Sequence, residues 1–296
     1  MKLLLTLLLW TGGLLSGVFL LALLLLVRNS VLPPLPNTLH PRALGLAAEE
    51  VTVVSRDGIR LHGWWIPQTA PRPVIILCHG LGANRSDLLE LARALVHAGY
   101  QVLLFDFRAH GESQGRVTSF GWTEQRDVEA MLDWLRRQPA AREVPWGLYG
   151  LSMGGAVGIQ VAARTPEVQA VVVDSAYRDL ERSILIHVRL LYHIPTRWLR
   201  PILSTAYRVR YGVWPHTVSP RWAASQLGER ALFVINGALD VRMPAEDARA
   251  LYEAASGPKE LWIVEGAVHL GGYSVDPALY HRRIAAFFQQ HLPISP

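Results

Sequence analysis

Cysteine and lysine are nearly missing from this 296-residue chain. Cys78 is the one cysteine, so neither a disulfide framework nor a cysteine-built zinc site is available. It falls inside an apolar run and reads as a small buried hydrophobe. Lys2 and Lys259 are the only lysines among 29 basic residues, an arginine bias that points to genome composition and not to function. Charge is sparse at 18%, and the net charge of +5 comes without any basic run interleaved with aromatics. A nucleic-acid partner is therefore not expected. No Gly-x-Gly-x-x-Gly follows a strand, and no His-Glu-x-x-His is present. Dinucleotide and zinc-protease readings both lack their motifs.

Half the residues are hydrophobic, and the N-terminus holds much of that excess. Leu3 to Val27 carry no charge, longer than the roughly 20 residues that cross a bilayer as a helix. A secretory signal has a shorter apolar region of about 7–15 residues and a small-residue cleavage site. Arg28, Asn29 and Ser30 follow here instead. The expectation is a single-pass membrane anchor over 1–28, with secretion after signal cleavage as the alternative. Lys2 and Arg28 balance one another, so the positive-inside rule sets no orientation. Gly13-x-x-x-Gly17 has the spacing of a helix-packing motif. Residues 29–48, with Pro33, Pro34, Pro36 and Pro41, read as an extended tether.

The body is expected over 49–296. Val51 to Ser55, the turn at Arg56-Asp57-Gly58, and Ile59 to Ile66 read as a β-hairpin. Pro73 to Cys78 has the unbroken apolar character of a strand covered on both faces. Strands and helices then alternate to the C-terminus. This predicts an α/β fold: a mostly parallel sheet with helices on both faces and an antiparallel first hairpin. The alternation fails between about 175 and 230. Nine arginines there face only Asp179, Glu181 and Glu229, a surplus of six against +5 for the whole chain. That segment reads as a helical cap insertion over one edge of the sheet.

Gly150-Leu151-Ser152-Met153-Gly154 lies between an apolar strand run and a small-residue helix run. G-x-S-x-G in that setting is a nucleophile elbow, which lifts a serine hydroxyl out of the sheet at a helix N-terminus. A serine needs a base, and the base needs an orienting acid. Asp240 follows the strand run Ala231 to Ile235, and His269 follows Leu261 to Val264, in the chain order Ser, Asp, His. The candidate catalytic residues are Ser152, Asp240 and His269. Oxyanion donors are expected at the N–H of Met153 and, from the loop His79-Gly80-Leu81-Gly82, at Leu81. His79 at the strand end reads as structural.

These motifs, with Asp106-Phe107-Arg108-Ala109-His110-Gly111-Glu112-Ser113, resemble an α/β-hydrolase of the serine-hydrolase superfamily. The resemblance runs from about residue 50 to the C-terminus. It is strongest to membrane-anchored Bem46-like and serine-aminopeptidase-like (S33-type) members. Relatives usually carry glycine where this chain has Ala109. The resemblance implies that Asp106 and Arg108 brace the loops around the pocket. It also implies hydrolysis of a carboxylic ester, thioester or amide through an acyl-enzyme, with no cofactor. The expected partner is a small acyl substrate, a membrane-proximal lipid among the candidates, and the arginines of the insertion could face anionic headgroups. The alternatives are a serine peptidase or amidase, a carbon–carbon hydrolase or haloperoxidase using the same residues, and a non-catalytic tethered binding module. Oligomeric state is open.

Overall fold

The computed structural model describes residues 2–31 and 35–294, and side chains from Trp10 onward. Pro33 and Pro34 of the expected tether, and the side chain of Lys2, lie outside the described residues.

Eight strands form one sheet: β1 (Glu49–Val54), β2 (Arg60–Ile66), β3 (Val74–Cys78), β4 (Gln101–Phe105), β5 (Trp146–Leu151), β6 (Val168–Asp174), β7 (Ala231–Gly237) and β8 (Lys259–Val264). Their spatial order is β1-β2-β4-β3-β5-β6-β7-β8. β2 runs antiparallel to both β1 and β4, and every later pairing is parallel. The predicted α/β-hydrolase architecture is the one observed. The apolar runs are the reason: β3, β4 and β7 are buried at every position, as central strands covered on both faces must be. In β2 the alternation is lost at its end, because Trp64, Trp65 and Ile66 are all buried.

Ten helices accompany the sheet among the described residues. They are α1 (Lys2–Ser30), α2 (Leu89–His97), α3 (Gln125–Leu135), α4 (Met153–Ala162), α5 (Leu180–Tyr192), α6 (Arg200–Tyr211), α7 (Pro220–Ser225), α8 (Ala245–Ala254), α9 (Gly272–Val275) and α10 (Pro277–His291). Asp276 caps α10 by accepting the Leu279 N–H at 2.8 Å, with Pro277 in the first turn. The two sheet faces carry separate apolar clusters. One, around Met131, Val157 and Leu251, takes α3, α4 and α8; the other, around Leu91, Leu95 and Phe288, takes α2 and α10.

Two expectations change. The described part of the segment 29–48 is not a free extended tether. α1 continues through Ser30, and Pro41–Leu44 form a 3-10 helix with proline in its first turn, where a missing N–H costs nothing. Asn84 Nδ2 donates to the carbonyls of Leu35 and Pro36, and Leu46 is buried. The insertion, in turn, does not lie over a sheet edge. Its α5 and α6 stand above Ser152, roofing the carboxyl ends of the strands. Tyr207 and Tyr211 of α6 fix it by donating to the Ser119 and Thr118 carbonyls, each at 2.8 Å.

A 21-residue stretch of α1, Trp10–Ser30, has a mean hydropathy of 2.2 and is long and apolar enough to cross a membrane. That is compatible with an anchor or a signal peptide. Gly13 and Gly17 face open space.

Candidate active site

Ser152 sits between β5 and α4 with φ 49° and ψ −114°. A non-glycine residue avoids this conformation unless its surroundings impose it. The surrounding glycines do so by close approach. A Cβ on Gly150 would lie 2.5 Å from the Gly155 backbone, and one on Gly154 would overlap the Cys78 and His79 carbonyls. Strand, turn and helix are therefore packed backbone to backbone, and the serine is pushed out at the helix N-terminus.

The three residues expected to act together meet. His269 Nε2 is 3.1 Å from Ser152 Oγ, and His269 Nδ1 is 2.7 Å from Asp240 Oδ2. A carboxylate only accepts, so the proton belongs on Nδ1 and leaves Nε2 free to accept from the serine. Asp240 is buried and keeps its second oxygen on the N–H groups of Arg242 and Met243, each at 2.9 Å. Those two bonds fix the plane of the carboxylate. The N–H of Met153 opens α4, and that of Leu81 lies in the loop after β3; neither has a hydrogen-bond partner among the described residues. A Cβ on Gly80 would lie 3.6 Å from Ser152 Cβ, so this loop borders the serine.

His79 is structural, as its position suggests. Its Nδ1 donates to the Gly80 carbonyl at 2.7 Å and its Nε2 accepts the Phe107 N–H at 3.0 Å. With both nitrogens occupied it has none for a substrate. Burial, with His110 beside it, lowers its pKa to about 3. His110 was not singled out by its motif, yet its Nε2 accepts the Gly82 N–H at 3.1 Å and so holds the Leu81 loop. Asp106 accepts the N–H groups of Arg85 and Glu112, and Arg108 bridges Asp57 and Asp127. Ala109, where relatives carry glycine, has a left-handed φ of 62°.

Sequence reasoning missed a second buried group. Asp174 ends β6 and accepts from Tyr280 at 2.5 Å and from the Ser175 hydroxyl at 2.8 Å. Tyr280 also contacts the Tyr149 hydroxyl at 2.7 Å. Ser175 Oγ accepts the N–H of Leu270, the residue after His269, at 3.3 Å. Ser152, Ser175 and Leu270 all have positive φ, so backbone strain is concentrated around the site. Burial raises the Asp174 pKa to about 6 despite these donors. An aspartate ending an apolar strand was the one visible signal.

Above the serine lies a cavity of about 580 Å³, within the usual range of ligand pockets. The helices α1, α5 and α6 supply about half of its wall, mainly through aliphatic side chains.

This sheet order, elbow and cap define the α/β-hydrolase class. Within it, the family model described as serine aminopeptidase, S33, matches residues 69–219, about half the chain. The chain belongs to that family and is a hydrolase. Among its relatives are a Mycobacterium tuberculosis protein, 30% identical over 80% of this chain and 76% of its own length, and YqkD of Bacillus subtilis, 27% identical over 79% and 77%. The Pyrococcus furiosus esterase PF2001 is similar in structure, with a TM-score of 0.74 and 26% identity over 89% of this chain and 98% of its own.

Proposed function

We propose that the protein is a serine hydrolase that cleaves a carboxylic ester or thioester through an acyl-enzyme. The observation that carries this reading is the continuous line Asp240, His269, Ser152, at 2.7 and 3.1 Å, opening on an apolar cavity. Ser152 Oγ attacks the carbonyl carbon as its proton passes to His269 Nε2. The carbonyl oxygen becomes an oxyanion held by the Met153 and Leu81 N–H groups, a donor of this kind being worth about 10²–10³ in rate. The oxyanion collapses, the bond to the leaving oxygen or sulfur breaks, and that atom takes the proton from Nε2. Water then attacks the acyl-serine, gives a proton to His269, and the acid departs as Ser152 recovers its hydrogen.

The cavity favours an acyl ester over an aminopeptidase substrate. A free α-amino group asks for a carboxylate near the serine. Asp87 is the only carboxylate in the wall among the described residues, and its Oδ2 already accepts the Asn84 N–H at 3.0 Å. A fluorophosphonate should label the protein, and Ser152→Ala should not be labelled. Absence of label on the native chain would favour a binding module. Faster release from aminoacyl anilides than from p-nitrophenyl esters would favour the peptidase.

A further inference from the structure

The cavity above Ser152 has an unexpected wall. Val18, Leu21, Ala22, Leu25 and Asn29 of α1 all border it. They recur every three or four positions and so share one face of the helix. The opposite face, with Leu20, Leu24 and Val27, is exposed. α5 and α6 close the cavity on the other sides with Ile184, Val188 and Leu203. A segment read from sequence as an anchor thus also lines the pocket of the reactive serine.

This docking is fastened to the body. The Ser30 carbonyl accepts the Thr118 N–H at 2.8 Å, and Val31 pairs with Val117. Asn29 Nδ2 donates to the Tyr192 hydroxyl at 3.2 Å, and Leu26 packs on the main core cluster. Towards the N-terminus the helix leaves the body, and Trp10 to Gly17 are exposed. The sixteen or so residues before Val18 span about 24 Å at 1.5 Å each, close to the ~30 Å hydrocarbon core of a bilayer. The corner between α5 and α6, where Tyr192 meets Asn29, adds exposed Leu191, Ile194 and Trp198. An apolar rim with a tryptophan is the composition found at a membrane–water boundary.

We propose that α1 is the outer wall of an acyl-binding site as well as an anchor, and that the substrate is a fatty-acyl ester drawn from the bilayer, its chain lying along Val18 to Leu25. This rests on the ester-hydrolase reading above. The physical gain is the route. Each methylene pulled through water costs about 0.8 kcal/mol, and a chain sliding from lipid onto an apolar helix face avoids that cost. At the serine end His187 lines the cavity with Nδ1 held on the Ser183 carbonyl at 2.8 Å, so its other ring nitrogen remains for the ester head.

The test uses the full chain in phosphatidylcholine vesicles with p-nitrophenyl acetate, laurate and palmitate. The readout is the ratio of kcat/KM between chain lengths, which cancels differences in the folded fraction. Ala22→Trp fills the wall and should lower the laurate-to-acetate ratio about tenfold, equivalent to roughly 1.4 kcal/mol of lost chain binding. Leu24→Trp on the exposed face should leave the ratio within about twofold of native. Leu25→Ala widens the wall and should raise the palmitate-to-laurate ratio, which keeps the idea testable if Ala22→Trp does not fold. Palmitate ester loaded into the protein's own vesicles should be hydrolysed faster than the same amount loaded into separate vesicles mixed with them. Hydrolysis of all three esters with ratios that ignore Ala22 and Leu25 overturns the wall while leaving the ester reading intact. A rate that follows only free ester in solution overturns entry from the bilayer. Failure to hydrolyse any ester removes both.

Discussion

Asp240 and His269 meet through a single contact, Oδ2 to Nδ1 at 2.7 Å, while the other Asp240 oxygen stays bound to two backbone N–H groups. The carboxylate cannot rotate without breaking those bonds. It therefore sets both the tautomer and the tilt of the imidazole that faces Ser152.

Asp240→Asn tests that role. The amide oxygen can keep the Arg242 and Met243 N–H groups, so the fold should be retained. Its NH₂ then faces Nδ1 as a donor and moves the imidazole proton to Nε2, where the ring can no longer accept from Ser152. An equivalent change in the serine proteases costs about 10⁴ in kcat. A loss of about 10³–10⁴ in kcat with KM little changed is expected here. Fluorophosphonate labelling should slow in parallel. Native-like kcat in a folded variant would remove Asp240 from the mechanism.

The elbow, Asp240 and His269 were legible because each is announced by a few neighbouring residues at the end of an apolar strand. The sheet was legible for the same local reason, as β3 to Cys78 and β5 into Ser152 read directly from apolar runs and glycine spacing. What was not legible depends on contacts distant along the chain. Nothing around Val18 or Ala22 says that one face of an apolar helix will border the serine, since such a helix is apolar on every side. Pro36 and Pro41 announce a break in regular structure, but not that Asn84 will bind the carbonyls beside them. Asp174 lies in the middle of the chain and Tyr280 near its end, and only folding pairs them. The insertion was recognised by composition, while its seat above Ser152 follows from tyrosines reaching Thr118 and Ser119.

Asp174 gives the fold a pH dependence of known sign. Its folded pKa is raised to about 6, chiefly by burial, above the ordinary aspartate value near 3.9. Between about pH 4 and pH 6 the folded chain holds a proton that the unfolded chain has released. This group's contribution is therefore most favourable below about pH 4 and is lost as pH rises through 6. The full swing is on the order of 3 kcal/mol. Asp174→Asn removes the titration. Denaturant melts at pH 4.5 and pH 7 should show the native protein gaining on the variant at the lower pH, by up to about 2 kcal/mol. A difference that stays constant between the two pH values would show that Asp174 ionises normally.

The cap arginines divide by their partners. Arg178 and Arg182 bind the buried Asp247, Arg200 binds Glu181, and Arg230 binds backbone carbonyls of Ala163 and Leu227. These four serve the fold. Arg189, Arg197, Arg208, Arg210 and Arg221 have no carboxylate partner among the described residues, and Arg197 lies over the exposed Trp198 ring at 5.3 Å. Arg189 and Arg197 share the corner of α5 and α6 with Leu191 and Ile194, next to α1. A basic residue near an anionic membrane surface contributes about 1 kcal/mol, so this pair amounts to about 2 kcal/mol, or thirtyfold in association. The full chain in vesicles containing phosphatidylserine should therefore act faster on a laurate ester than in neutral vesicles. Arg189→Gln with Arg197→Gln should remove most of that gain, and salt well above the physiological range should remove it for the native protein too. Arg182→Gln should behave differently. It removes the nearer of the two ion pairs of Asp247, 2.8 Å against 3.6 Å for Arg178, at a carboxylate whose pKa burial already raises, and so should lower the melting temperature without changing the response to lipid charge. If the two corner arginines can be neutralised with the response to phosphatidylserine intact, they are an ordinary solvated surface and the proposed membrane contact would have to come from α1 alone.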